Sequence, residues 1–347
     1  MHKLSEREEL VLHAVVHAYI TTAEPVGSRA LVKRVGLDIS PATVRNVMSD
    51  LEEMGFLAQL HTSSGRVPTD QGYRYYVDYL MRVQELTRSE RARIEGELTI
   101  RLNDAESVLR QTSHLLALIS HQAGIVQGPD TAEATVSRID IMPLKGERAV
   151  VIMVDSFGRV RTSVLSIAGE MTQDEAAKLN AFLNEHLQNA PLSDIAGAMH
   201  RKLESFVDEQ RRIAARVIEV LELVPPAAPG QLFMDGATHL FEQPEFKDMD
   251  KAREVFGLLE ENDRVLALLR AGVTLSNSDN ASIVIGSEAT GSGVREISVV
   301  SAPYSIGGQS VGRIGVLGPR RMPYSKLAGV VGATASVLSR FLTRLAG

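Results

Sequence analysis

The sequence predicts an α+β protein: a winged helix-turn-helix at the N-terminus, then an α+β domain interrupted by a helical block. Three observations predict it. Residues 1–80 read as helix, helix, helix, hairpin, helix. Beyond residue 122 the apolar period switches from helical to alternating, returns to helical over 172–224, and then alternates again. A length of 347 residues leaves room for two or three domains at about 150 residues each.

In the first segment, Ser5 with Glu8 forms a capping box, and Leu12, Val15, Val16 and Tyr19 carry a helix to about Ile20. Thr21–Gly27 is a breaker, and Ser28 starts a short helix that Gly36 ends. The third helix is the best defined: Ser40 is a suitable N-cap, Pro41 is preset for the first turn, and Gly55 stands where a left-handed terminator belongs. Phe56–His61 and Val67-Pro68 are the strands of a hairpin around the polar turn Thr62–Arg66, and a helix follows through Tyr73–Leu80.

Residues 82–122 read as a long helical connector, charge-balanced at first and apolar in HLLALIS, which the stretch from Gly124 to Pro129 breaks. Thr135–Met142, Arg148–Val154 and Val160–Ile167 are β-like runs of an antiparallel meander. A second capping box, Thr172 with Glu175, opens the helical block, which ends at VPPAAPG (Val224–Gly230). Helices cover most of 232–271, strands are expected at Ser282–Ile285, Glu296–Ser301 and Ile314–Leu317, and Ser325–Leu345 is a terminal helix. The glycine-rich stretches Ser287–Glu296 and Gly307–Gly315 read as loops.

Composition excludes several classes. With no cysteine there are no disulfides, thiolate metal sites or cysteine nucleophiles, which fits a reducing, cytoplasmic compartment. The longest apolar run, Ala149 to Val154, is six residues, far short of the ~18 that span a membrane, and MHKLSEREEL has no secretory h-region. His13 and His17 are four apart on a helix, but no third ligand is suggested, so no metal or cofactor is expected. Neither glycine-rich stretch matches a phosphate loop and no GxSxG elbow occurs, so no catalytic residues are expected.

The net charge of −6 is a mild objection to nucleic-acid binding, and residues 1–80 alone carry eight Lys/Arg against ten Asp/Glu. Placement answers it. Six acids fall at Glu6, Glu8, Glu9, Asp50, Glu52 and Glu53, at the start of helix one and the end of helix three, while Arg29, Lys33, Arg34, Arg45 and Arg66 flank one edge. Phosphate neutralisation counts local contacts, not the total. On helix three, Val44, Val47, Met48 and Leu51 share one face, which leaves Thr43, Arg45, Asn46 and Ser49 on the other. Arg pairs bidentately with guanine and Asn with adenine in the major groove. The expected DNA-binding set is Ser40, Thr43, Arg45, Asn46 and Ser49 on the helix, with His61, Ser63, Ser64 and Arg66 in the wing. Most of Tyr73, Tyr75, Tyr76 and Tyr79 are expected to pack under the wing.

The run SPATVRNVMSDLEEMGFL followed by HTSSGRVPTDQGYRYYVDYL resembles the N-terminal half of the heat-inducible transcription repressor HrcA family, and Gly308–Lys326 (GQSVGRIGVLGPRRMPYSK) resembles that family's second signature. The resemblance extends over essentially the whole chain and maps Ser40 to Glu53 onto the reading helix and His61 to Pro68 onto the wing. It implies a winged helix at 1–80, a connector at 81–122, a GAF-like α/β domain in two parts (123–169 and 231–347), and a helical dimerising insertion at 170–230. It further implies a non-enzymatic negative regulator of class I heat-shock (chaperone) operons. Such a repressor binds an inverted-repeat operator in double-stranded DNA as a homodimer, leaves it on heat stress, and is kept active by the GroEL chaperonin. The alternative is a ligand-responsive GAF-type sensor that regulates other genes.

Overall fold

A computed structural model describes residues 4–36, 39–59, 65–99, 105–129, 134–202, 208–224, 231–274, 281–289 and 294–346. The N-terminal unit comprises α1 (Glu6–Thr22), α2 (Ser28–Val35), α3 (Pro41–Glu53), the hairpin β1 (Leu57–Gln59) and β2 (Arg66–Pro68), and α4 (Asp70–Tyr75), which a π-helical turn extends through Leu80. The Ser5–Glu8 capping box forms at the start of α1. The stretch read as a breaker before α2 does more than turn: Val26 exchanges both backbone hydrogen bonds with Arg66 at 2.9 Å, adding a third, one-residue strand to the hairpin. Gly65 is required beside it, because a Cβ there would fall 2.5 Å from the Val26 carbonyl carbon.

The connector is two helices, α5 (Arg88–Thr99) and α6 (Ala105–Ser120), and residues 81–87 ahead of them are not helical. The stretch from Gly124 to Pro129, expected to be a break, holds instead a wholly buried strand, β3 (Ala123–Gln127). A side chain at Gly124 would overlap the Ser113 carbonyl of α6, so this glycine marks a close helix–strand approach and not a turn. Next come β4 (Val136–Leu144), β5 (Arg148–Asp155) and β6 (Val160–Ser166), then α7 (Gln173–Leu187), α8 (Ile195–Lys202) and α9 (Asp208–Glu222). The chain returns through β7 (Leu232–Asp235), α10 (Ala237–Phe241), α11 (Met249–Glu260), α12 (Asn262–Arg270), β8 (Val273–Thr274), β9 (Ser282–Ile285), β10 (Ile297–Ile306), β11 (Gln309–Pro319) and α13 (Tyr324–Ala346).

Six strands form one antiparallel sheet in the order β7-β3-β11-β10-β9-β8. Gly307–Gly315, expected as a loop, is mostly hairpin: Gly307 (φ 59°) and Gly308 (φ 86°) make a two-residue turn between Ile306 and Gln309. Helices cover both faces. Val300, Ala302, Tyr304, Ile314 and Val316 share a core with α6 and α13, whereas Val299, Ile297, Leu317 and Ile125 pack against α10–α12.

The meander β4-β5-β6 is a sheet of its own. Its inner residues Ile139, Ile141, Val151 and Met153 lie in one core with Leu179, Leu183, Met199 and Val217 of α7–α9. Meander and helices therefore form one inserted unit, where a purely helical insertion starting at 170 was expected. It leaves and re-enters the large sheet between neighbouring strands, since Gln127 pairs with Leu232 and the Gly128 amide donates to Gln231 at 2.7 Å. With its ends already cross-strand partners, the insertion adds little closure entropy to the host domain.

Candidate nucleic-acid interface

α3 is built as its sequence dictates. The Ser40 hydroxyl caps it, accepting from the Thr43 amide at 3.1 Å and lying 2.9 Å from the Thr43 hydroxyl. Val44, Val47, Met48 and Leu51 are its buried residues, against α1 and α2. The opposite side is solvent-facing: Ala42, Arg45 and Asn46 are exposed, and Thr43 and Ser49 are half-exposed. Arg45 and Asn46 make no hydrogen bond or ion pair among the described residues. No acid occupies the first turn of α3, so the positive end of the helix dipole is uncompensated beside Arg45. Arg29, Lys33 and Arg34 are exposed on neighbouring α2.

The structure brings Ser40, Thr43, Arg45, Asn46 and Ser49 together on one helix. His61, Ser63 and Ser64 lie outside the described residues. Arg66 stands at the start of β2, with its Nε 2.7 Å from the Glu52 carboxylate of α3. It ties the hairpin to α3 and is not a free cation at a loop tip. Ser40 is likewise occupied, by the cap.

Around this edge, Tyr73, Tyr75 and Tyr76 are buried and Tyr79 is exposed. Tyr75 donates to Glu9 at 2.8 Å and meets Phe56 edge-on. His13 and His17 lie on the outward side of α1. Their rings stack at 6.4 Å, and His13 also meets Tyr76. Partial burial, with the neighbouring His17, lowers the His13 pKa. Among the described residues, no three His, Asp or Glu side chains cluster as a metal site, and no helix is long and apolar enough to cross a membrane. Sequence reasoning missed the arginines that hold this unit to the large sheet: Arg74, Arg320 and Arg321 each pair with an acid distant in sequence. Their one local signal was the basic dipeptide Arg320-Arg321 after Gly-Pro.

A small helical unit that turns a polar helix face to solvent, carried on a larger sheet domain, has the layout of a transcriptional regulator, a class that works without catalysis. Comparison with known proteins makes the class specific. Residues 106–328 match the family model described as the HrcA protein C terminal domain. The chain is 38% identical over 342 residues to the heat-inducible transcription repressor HrcA of Geobacter sulfurreducens, covering 99% of each. It is 38% identical over 341 residues to that of Shouchella clausii, covering 98% of each. A solved structure titled a hypothetical protein at 2.2 Å resolution superposes with a TM-score of 0.63 at 20% identity, covering 99% of this chain and 100% of that one, a likeness of fold. The chain belongs to the HrcA family of heat-inducible transcription repressors, and is a negative transcriptional regulator.

Proposed function

We propose that residues 4–80 are a winged helix whose α3 enters the major groove, that the six-stranded domain is GAF-like, and that a homodimer represses class I chaperone operons by binding an inverted-repeat operator. One observation carries the reading: Arg45 and Asn46 stand side by side, exposed and with no partner among the described residues, on the acid-free N-terminal half of α3. Thr43 and Ser49 supply tolerant hydroxyls, and Ser40 orients the helix start. His61, Ser63 and Ser64 are proposed for the wing on sequence grounds alone. Arg66 acts indirectly, by holding the hairpin.

Two-fold symmetry in the protein requires a palindrome, with half-sites a whole number of ~34 Å turns apart. The surface we assign to the dimer is the outer face of the meander. Rows Met142–Val150–Val164 and Val154–Val160 run across it, and Met142, Val160 and Val164 are among the most exposed apolar side chains of the protein. The β4 edge is closed against strand addition. Asn180 and Asn184 of α7 each bond both backbone groups of one residue, Ile141 and Ile139 respectively, at 2.6–3.0 Å. The exposed apolar rows, and not the β4 edge, are therefore the surface we assign to a second copy.

The test is quantitative footprinting on a chaperone operon's upstream region. Arg45→Ala or Asn46→Ala should weaken operator binding by about 1–3 kcal/mol and relax specificity, with little change on random DNA. Equal losses on both DNAs would remove the groove assignment. Dependence on the GroEL chaperonin, which the family membership supports, fits a chain with long-range strand pairings across an insertion. Full operator binding after heating and cooling without chaperonin would count against it.

A second reading, a small-anion sensor, has one observation in its favour. Arg313 on β11 donates only to the Ser282 and Ser301 hydroxyls, at 3.0 Å each, with no carboxylate partner among the described residues. Burial pushes its pKa down. Calorimetric titration with phosphate or a small carboxylate, read together with operator affinity, decides: no binding and no shift in affinity dismisses the sensor.

A further inference from the structure

The N-terminal unit is fastened to the large sheet by a directional network of ion pairs. On α4, Asp70 and Arg74 are one turn apart and share a face. Arg320, immediately after β11, places Nη1 2.8 Å from Asp70 and Nη2 3.0 Å from Glu296, and Glu296 is also 3.4 Å from Lys251. The other Asp70 oxygen accepts from the Ser287 amide at 2.9 Å. Arg74 forks onto Glu288, with Nε at 2.6 Å and Nη2 on the second oxygen, and also donates to the Ile283 carbonyl of β9 at 2.8 Å. A third arginine, Arg321, pairs with Glu245 at 2.7 Å and donates to the Ile20 carbonyl of α1 at 2.9 Å.

The linkage continues to α3. Thr69, the cap of α4, donates to the Gly55 carbonyl at 2.6 Å, and Gly72 lies so close to the Phe56 carbonyl that a Cβ there would overlap it. A continuous set of contacts therefore runs from the six-stranded sheet through the ion pairs to α4 and on to Gly55-Phe56, which follow α3. Tyr73 against Tyr324, at 6.0 Å, adds apolar contact across the same boundary. Apolar contact tolerates sliding, whereas bidentate ion pairs fix an angle.

We infer that Asp70, Arg74, Glu288 and Arg320 are positioning residues for operator recognition: they set the angle of α3 to the large sheet, and so the spacing between the two reading helices of a dimer. This rests on the proposed role of α3, and the test separates the two. Asp70→Asn with Glu288→Gln removes both carboxylate charges while keeping side-chain acceptors for the Ser287 amide and for the Ile285 amide, which donates to Glu288 at 2.9 Å. Binding of the full-length protein is measured on the complete inverted repeat, on repeats with lengthened or shortened spacers, and on a single half-site, with the melting curve recorded.

The expected result is a loss of about tenfold on the native repeat and a flattened spacer preference, with half-site affinity within about twofold, because geometry governs the bivalent gain and not the single contact. Unchanged repeat affinity and spacer preference in the variant would overturn the inference. So would a fall in half-site and repeat affinity by the same factor, which would make the network part of the fold alone. If the parent's half-site binding does not respond to Arg45→Ala, the reading of α3 itself has failed, and the inference falls with it.

A second variant guards against misfolding. A Cβ at residue 286 would lie 2.6 Å from the Asp70 Cγ, so Asp70→Cys with Gly286→Cys places two thiols within disulfide reach in a chain otherwise free of cysteine. Oxidised and reduced samples of this one variant share any backbone strain at residue 286. The oxidised form should recover the spacer preference that the reduced form lacks, and identical profiles would overturn the inference.

Discussion

Replacing Val164 by Asp should convert the proposed dimer to monomer without unfolding the chain. Val164 is 62% exposed and Val160 64% exposed, and Val164 pairs with Val150, which in turn pairs with Met142. Full burial of a valine is worth about 1.5–3 kcal/mol, so covering the roughly three-fifths that remains exposed recovers about 1–2 kcal/mol. A two-fold interface counts each residue twice, which gives about 2–4 kcal/mol per dimer from this position, before any cost of burying the new carboxylates. At 1.4 kcal/mol per decade, the dimer Kd should rise about 30- to 700-fold. Sedimentation velocity over a concentration series reads this directly. The melting temperature of the separated monomer should hold, because an exposed substitution changes stability by about 0.5 kcal/mol or less. An unchanged dimer Kd in folded V164D protein would refute the assignment of this face.

Three further outcomes follow from the N-terminal unit. Ser40→Ala removes the α3 cap and should lower stability by about 1 kcal/mol in urea unfolding, with the larger relative loss in operator binding, since the same turn carries Arg45. Gly72→Ala gains helix propensity but drives a methyl into the Phe56 carbonyl, and should destabilise by about 1–3 kcal/mol by calorimetry. Burial opposes ionisation of Asp70, but the hydrogen bonds from Arg320 and Ser287 outweigh it and hold the carboxyl below its usual range. The folded pKa is therefore lower than the unfolded one, so the contribution of Asp70 is complete above about pH 4 and is lost as pH falls through the folded value. The urea midpoints of the parent and Asp70→Asn should differ at pH 6 and converge towards pH 2; a difference independent of pH would refute the ionic origin.

What the sequence disclosed depends on how local each determinant is. α3 was legible because its cap, its proline and its apolar positions all lie within fourteen residues, and Val44, Val47, Met48 and Leu51 are the residues it buries. The three meander strands were legible for the same reason, each alternating and separated by a short turn. Gly124 misled because a glycine signals a turn when only its neighbours in sequence are considered, whereas this one makes room for the Ser113 carbonyl of α6. The pairing of β3 with β7 joins Gln127 to Leu232 across the whole insertion, and no local pattern contains it. Without that pairing, the meander reads as the first half of the host domain.

The same distinction bears on the candidate site. Arg45 and Asn46 could be read from helical phase, since their chemistry faces outward and needs no partner from the chain. Arg320 and Arg74 could not, because their partners Asp70 and Glu288 lie 250 and 214 residues away in sequence. On the proposed reading, the outward-facing groups serve recognition, while these inward-facing pairs connect it to the rest of the molecule. A dimeric repressor of the proposed kind, with two helices at a fixed spacing, needs both kinds, and the second kind would carry a disturbance of the sheet to the α3 edge. Loss of operator binding can therefore precede unfolding of α3 itself. Heating should lower affinity for the full inverted repeat while binding to a single half-site persists.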